Sequence, residues 1–147
     1  MGTWDVEPFD NDHAADFGGD LDDAPESERP EMIRTALLAA IDNDGYLESD
    51  EGVHAVAAAA LVAAGMPGGE GFAPPPYSPK QPIPALPSDF IDLAIRAVDR
   101  VMADKSELRE LWEEGGSGEG PWHASIHRLR ATLADPEGQV AVSEVGR

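Results

Sequence analysis

The run from Val53 to Ala64 carries no Asp, Glu, Lys or Arg and is mostly alanine. Alanine is the best helix former, and nothing inside this run breaks a helix. A helix that is apolar on every side has to be enclosed on every side. Its small side chains let the enclosing helices come close. The run is followed by Gly65-Met66-Pro67-Gly68-Gly69. It is too short and too weakly apolar to cross a bilayer, which takes about 20 apolar residues. The sequence therefore predicts a central buried helix, and the rest of the chain has to wrap it.

Apolar spacing and capping residues predict six helices and no sustained strand. The first covers about 11–23, capped by Asp10 or Asn11, with Ala14, Phe17 and Leu21 on one face. The second covers about 30–42, opened by Pro30, with Ile33, Leu37, Ala40 and Ile41 as its stripe. The third covers about 50–64, capped by Ser49 or Asp50. The fourth covers about 89–103 behind Ser88, with Ile91, Ala94, Val98, Val101 and Met102 inward and Asp92–Arg96 at i,i+4 outside. The fifth covers about 107–114 with Leu108, Leu111 and Trp112. The sixth covers about 121–134 with Trp122, Ile126, Leu129 and Leu133. Tyr46-Leu47 after Gly45 predicts no more than a stub of extended chain.

Residues 66–87 hold eight of the 13 prolines and two charged side chains, Glu70 and Lys80. Proline at that density gives an extended strap, polyproline II in character, and not helix or sheet. Phe72 and Tyr77 are expected to pack from it across the helices. The expectation is one compact all-α domain over 1–136: an acidic N-terminal half (1–65), the strap (66–87) and a C-terminal half (88–136). A frayed tail, 137–147, follows.

The charge is one-sided. The 147 residues hold 29 acids and 10 bases, a net charge of −19. Residues 1–28 hold ten acids and no Lys or Arg; the first base is Arg29. Such a field repels nucleic-acid phosphate and anionic lipid, and attracts basic surfaces and cations. The absence of cysteine removes disulfides, thiolate zinc sites and cysteine nucleophiles. The N-terminus lacks a basic region followed by an apolar run, so no signal peptide is predicted and a cytoplasmic location is expected.

Two acidic constellations invite a site reading. In the leader, Trp4 and Phe9 are expected to dock on the helical core and tether Asp5, Asp10 and Asp12. Those acids then extend through Asp16, Asp20, Asp22 and Asp23 as a face for a basic protein partner. Asp10, Asn11 and Asp12 also suit a helix N-terminus, where carboxylates accept free N–H groups. Asp12, His13 and Asp16 share one helical face and offer a divalent ion two carboxylates and an imidazole.

The second constellation is Ala40 to Glu51. Laid on the calcium-loop template, Asp42 and Asp44 fall on the third and fifth positions, Gly45 on the glycine, Leu47 on the apolar position and Glu51 on the bidentate end. Glu48 lies between them. Ala40 replaces the leading acid, so any binding of calcium or another divalent ion through Asp42, Asp44, Glu48 and Glu51 is expected to be weak. The competing reading is an acidic turn between helices.

Catalytic patterns are poorly represented. His123 and His127 are i,i+4 but lack the glutamate of metalloproteases, and Arg128 and Arg130 stand beside them. Ser125 has no strained elbow. Gly115 to Gly120 lacks the lysine of a phosphate loop. His54, inside the alanine helix, reads as a packed or partly exposed side chain.

Gly2-Thr3-Trp4, Pro8-Phe9-Asp10-Asn11-Asp12, Ala15-Asp16-Phe17, Gly45-Tyr46-Leu47-Glu48, the Ala57–Ala64 block and Ser106-Glu107-Leu108-Arg109-Glu110-Leu111-Trp112 together resemble the bacterial domain of unknown function 4259 over most of 1–134. Glu7 stands where the family pattern has glycine. The resemblance implies a bacterial cytoplasmic protein and supplies no activity. The residues themselves lead to a non-enzymatic acidic interaction module, inhibitory by toxin neutralisation or by charge mimicry, with no resident cofactor. A weak divalent-cation module is the alternative reading, and a hydrolase of unknown type the second.

Overall fold

The computed structural model describes residues 12–43, 45–65, 86, 89–103, 105–113 and 121–134, with the backbone alone at 12–15, 111–113 and 121–122. Among them are six α-helices and no strand. These are α1 (Asp12–Asp23), α2 (Arg29–Ile41), α3 (Ser49–Ala64), α4 (Asp89–Val101), α5 (Glu107–Glu113) and α6 (Pro121–Ala134). A 3-10 turn, Glu26–Glu28, leads into α2. The leader, Asp44, Ser88, the strap apart from Leu86, and the tail lie outside the described residues, and with them the expectations for Trp4, Phe9, Phe72 and Tyr77.

The alanine run behaves as its composition demands. Ala57, Ala58, Ala59 and Ala60 are all fully buried. Successive helical residues point about 100° apart, so four in a row sample the whole circumference. All five other helices pack against α3. Gly52 belongs to the same close packing, because a Cβ there would stand 3.3 Å from Leu108 Cβ on α5.

The enclosing helices contribute the stripes that spacing predicted. Phe17 and Leu21 come from α1, Ile33, Leu37 and Ala40 from α2, and Ala94, Val98 and Val101 from α4. Leu108 comes from α5, and Ile126, Leu129 and Leu133 from α6. Half-buried Leu86 joins this core from the end of the strap. The α4 stripe is broader than predicted, with Phe90, Leu93 and Ala97 also buried.

Helix ends differ where a distant group takes over a local role. The expected caps of α3 are not used. Glu48 occupies the N-cap with extended backbone and no side-chain hydrogen bond, and Ser49 is already helical. The Ser49 N–H instead donates to Glu107 Oε1, 58 residues away, at 2.8 Å. Helix α4 stops at Val101 instead of 103, where the Ala103 N–H turns back to the Arg100 carbonyl, three residues earlier. Lys105 then takes a left-handed φ of 64°, a conformation that costs a non-glycine residue about 1 kcal/mol. No helix of the described residues is long and apolar enough to cross a membrane.

Candidate interaction site

The acidic front of the molecule is built by folding α1 back on α3. Phe17 and Leu21 face inward from α1, while Asp16, Asp20 and Asp23 are exposed and Asp22 is half-buried. Arg29 secures the turn. It is 7% exposed. Its Nε donates to the Leu21 carbonyl at 2.9 Å and its Nη2 to the Ala24 carbonyl at 3.0 Å. A cation at a helix C-terminus meets the negative end of the dipole and its unpaired carbonyls. The first base of the chain is thus turned inward onto backbone carbonyls.

Between α1, α2 and α3 lies an open groove of about 500 Å³. It is lined by Phe17, Met32, Thr35, Ala36 and Ala39, and its acidic rim is Asp20, Glu28, Glu31 and Glu51. His54 stacks on Phe17, with ring centroids 5.6 Å apart and planes 27° from parallel. Among the described residues no lysine or arginine lines this groove. Only Asp20 of the predicted partner-binding acids stands on the rim. Asp16, Asp22 and Asp23 sit elsewhere on α1, the Asp12 side chain is not described, and Asp5 and Asp10 lie outside the described residues. Sequence reasoning did not assign Glu28 and Glu31 to the site. Their i,i+3 spacing across Pro30 was a usable signal, but only the return of α1 shows that they share a groove with Asp20.

Charge is segregated between the two halves. Residues 1–65 hold sixteen acids and two bases, and residues 66–147 hold thirteen acids and eight bases. The second base of the front half, Arg34, pairs with Asp89 at 3.3 Å and lies over the Phe90 ring at 5.6 Å. In the C-terminal half Arg96 meets Asp92 at 3.6 Å, the predicted i,i+4 pair. Arg130 grips Asp99 through Nε at 2.6 Å and Nη2 at 3.1 Å, and that hydrogen-bonded contact raises the guanidinium pKa. Exposed pairs of this kind add little stability. They do quench the local field, whereas among the described residues no lysine or arginine lines the groove.

The loop laid on the calcium template is held differently from that template. Asp42 is the exposed C-cap of α2, and Asp44 lies outside the described residues. Asn43 Oδ1 accepts the Gly45 N–H at 2.8 Å, and Asn43 Nδ2 donates to the Tyr46 carbonyl at 3.4 Å. That carbonyl falls on the template's backbone-ligand position. Arg100 donates from Nε to the Asn43 carbonyl at 3.0 Å and from Nη2 to those of Gly45 and Lys105 at 2.7 and 3.3 Å. Glu48 is exposed at the head of α3, and Glu51 faces the groove. Among the described residues no group of three or more His, Asp or Glu side chains is placed to hold a metal ion.

This loop is tied to the α4–α5 connection. The Leu47 N–H donates to the Lys105 carbonyl and the Glu107 N–H to the Leu47 carbonyl, each at 2.8 Å. They make a single parallel bridge of Leu47 with Ser106, the stub predicted at Tyr46-Leu47. Tyr46 is 48% exposed, and its hydroxyl donates to Glu110 Oε1 at 2.8 Å. The bridge therefore joins Tyr46-Leu47-Glu48 to Ser106-Glu107-Leu108. The family model for the domain of unknown function DUF4259 matches residues 2–125. The chain belongs to that family. No curated protein and no solved structure matches it. The fold is the all-α one expected, and membership carries no activity with it.

The Tyr46 contact has a pH signature. Its hydrogen bond to Glu110, then partial desolvation and the carboxylate charge nearby, push the phenol from 10.0 up to about 12. The neutral phenol is the form that donates, so the contact is complete below pH 10 and is lost as pH rises towards 12. Tyr46 and Tyr77 are the two tyrosines, so a Tyr77→Phe chain reports Tyr46 alone. Its phenolate absorbance should reach half-height near pH 12, and adding Glu110→Gln should bring it back towards 10. Ionisation at 10 in the folded Tyr77→Phe chain would show that the contact does not form in solution.

Proposed function

We propose that the protein is a non-enzymatic interaction module that engages a basic protein partner through the acidic front formed by α1, the 3-10 turn and the starts of α2 and α3. Toxin neutralisation and occupation of a nucleic-acid-binding surface by charge mimicry are both forms such a role takes. The observation that carries the reading is the groove rim of Asp20, Glu28, Glu31 and Glu51, with no lysine or arginine among the described residues that line the groove. Both bases of that half are used internally, Arg29 on carbonyls and Arg34 on Asp89. A patch of one sign speeds encounter with its opposite, and salt weakens it over a screening length of about 10 Å.

The test compares the front with positions far along the chain at equal net charge. One variant carries Asp16→Lys, Asp20→Lys, Asp23→Lys and Glu28→Lys; the control carries Glu114→Lys, Glu119→Lys, Asp135→Lys and Glu137→Lys. Binding to lysine oligomers of fixed length is followed by calorimetry between low and high salt. The front variant should lose about tenfold or more in affinity, which is roughly 1.4 kcal/mol, and the control much less. Equal losses, or binding indifferent to salt, would leave only net charge and overturn the assignment to this face.

A further inference from the structure

Resting on that reading, we infer that the groove between α1, α2 and α3 receives the apolar stripe of a basic amphipathic helix from the partner protein. Met32, Thr35, Ala36 and Ala39 line it at i, i+3, i+4 and i+7 of α2. That stripe is about 10 Å long at 1.5 Å per residue, two helical turns. A helix docking along it presents anchors with the same i, i+3 or i+4, i+7 spacing, the usual geometry of helix-in-groove recognition. Alanine at two of the four positions lets a second backbone come close. The volume, about 500 Å³, is in the range that holds a few apolar side chains.

The rim selects the flanks of the incoming helix. Glu28 and Glu31 stand at the start of α2, Asp20 on α1 and Glu51 on α3. An apolar stripe bordered by lysine or arginine therefore meets carboxylates along both walls. The same rim argues against a second copy of this chain as the occupant, because two molecules of net charge −19 would bring like charges together. Lysine and arginine also suit the site through their stems, which cover apolar surface while the charged head stays at the rim.

The experiment uses the full chain and two helical peptides of equal composition. One places leucines at i, i+3, i+4 and i+7 with lysines on both flanks; the other scrambles them so that no stripe forms. The striped peptide should bind about tenfold or more tightly than the scrambled one. Thr35 and Ala39 are exposed, so Thr35→Trp and Ala39→Trp fill the groove from positions that tolerate bulk. Either should remove the advantage of the striped peptide and leave binding of the scrambled peptide and of lysine oligomers unchanged. In a methionine-methyl NMR spectrum the Met32 signal should shift with the striped peptide, and that of Met102, which follows α4 and does not line the groove, should not. Equal binding of the two peptides, with no effect of either tryptophan and a still Met32 methyl, would overturn the groove while leaving a charge-driven front intact. Failure of both peptides and of the lysine oligomers would overturn the interaction reading itself. A dimer that dissociates on Thr35→Trp would give the groove to self-association and overturn the inference.

Discussion

Ala59→Leu is expected to destabilise the fold by about 1–3 kcal/mol, the usual effect of forcing extra methylenes into a filled interior. Leucine is as good a helix former as most residues, so local propensity predicts almost no change. The loss comes from packing alone. Ala59 is fully buried between neighbours that are themselves fully buried, and five helices close around α3, so no side is open for the new side chain. The matched control is Ala131→Leu, at an exposed position of α6, where a surface change stays within about 0.5 kcal/mol. For a chain of this size each kcal/mol moves the thermal midpoint by roughly 2–4 °C. Thermal unfolding of the two variants separates the cases. If Ala59→Leu melts with Ala131→Leu, α3 has an open side and the enclosure is wrong.

That enclosure was legible in the sequence because it does not depend on register. A run with no charged residue in it has no polar face to aim at water, so its burial follows whatever surrounds it. The stripes of α2 and α6 were legible for the complementary reason: Ile33, Leu37 and Ala40, and Ile126, Leu129 and Leu133, recur at the helical period and are all buried. What the sequence hid are the bonds that span it. Glu107 caps α3 from 58 residues away, so a search for Ser or Asp beside the helix start settles on the wrong group. Arg100 gathers carbonyls of two separate loops, and no spacing rule points to it. The groove is of the same kind. Each of its walls is an ordinary helix face, and Glu51, assigned by a local template to a cation loop, shares a rim with Asp20 and Glu31 only after three helices have met.

Arg29→Met should separate α1 from the rest of the molecule, and the acidic front with it. Methionine keeps the apolar stem and removes every donor. The Ala24 carbonyl then loses the guanidinium, while the Leu21 carbonyl keeps the Ala24 N–H at 3.2 Å. Hydrogen bonds from a charged donor contribute roughly 1.5–3 kcal/mol each, so the pair is worth about 2–4 kcal/mol when one acceptor stays partly satisfied. Arg29→Lys recovers little of this, since an ammonium is a point charge and lacks the planar fork that reaches two carbonyls at once. Hydrogen exchange locates the effect. Amides of α1 should exchange much faster in Arg29→Met, while those of α4 and α6, packed on each other and on α3, keep their protection. Because Phe17 and Asp20 form one wall of the groove, the same variant should weaken lysine-oligomer binding although it removes a positive charge, the opposite of what net charge alone dictates. Protected α1 amides together with tighter binding would mean that Arg29 only lowers the negative potential of the front and does not hold it in place.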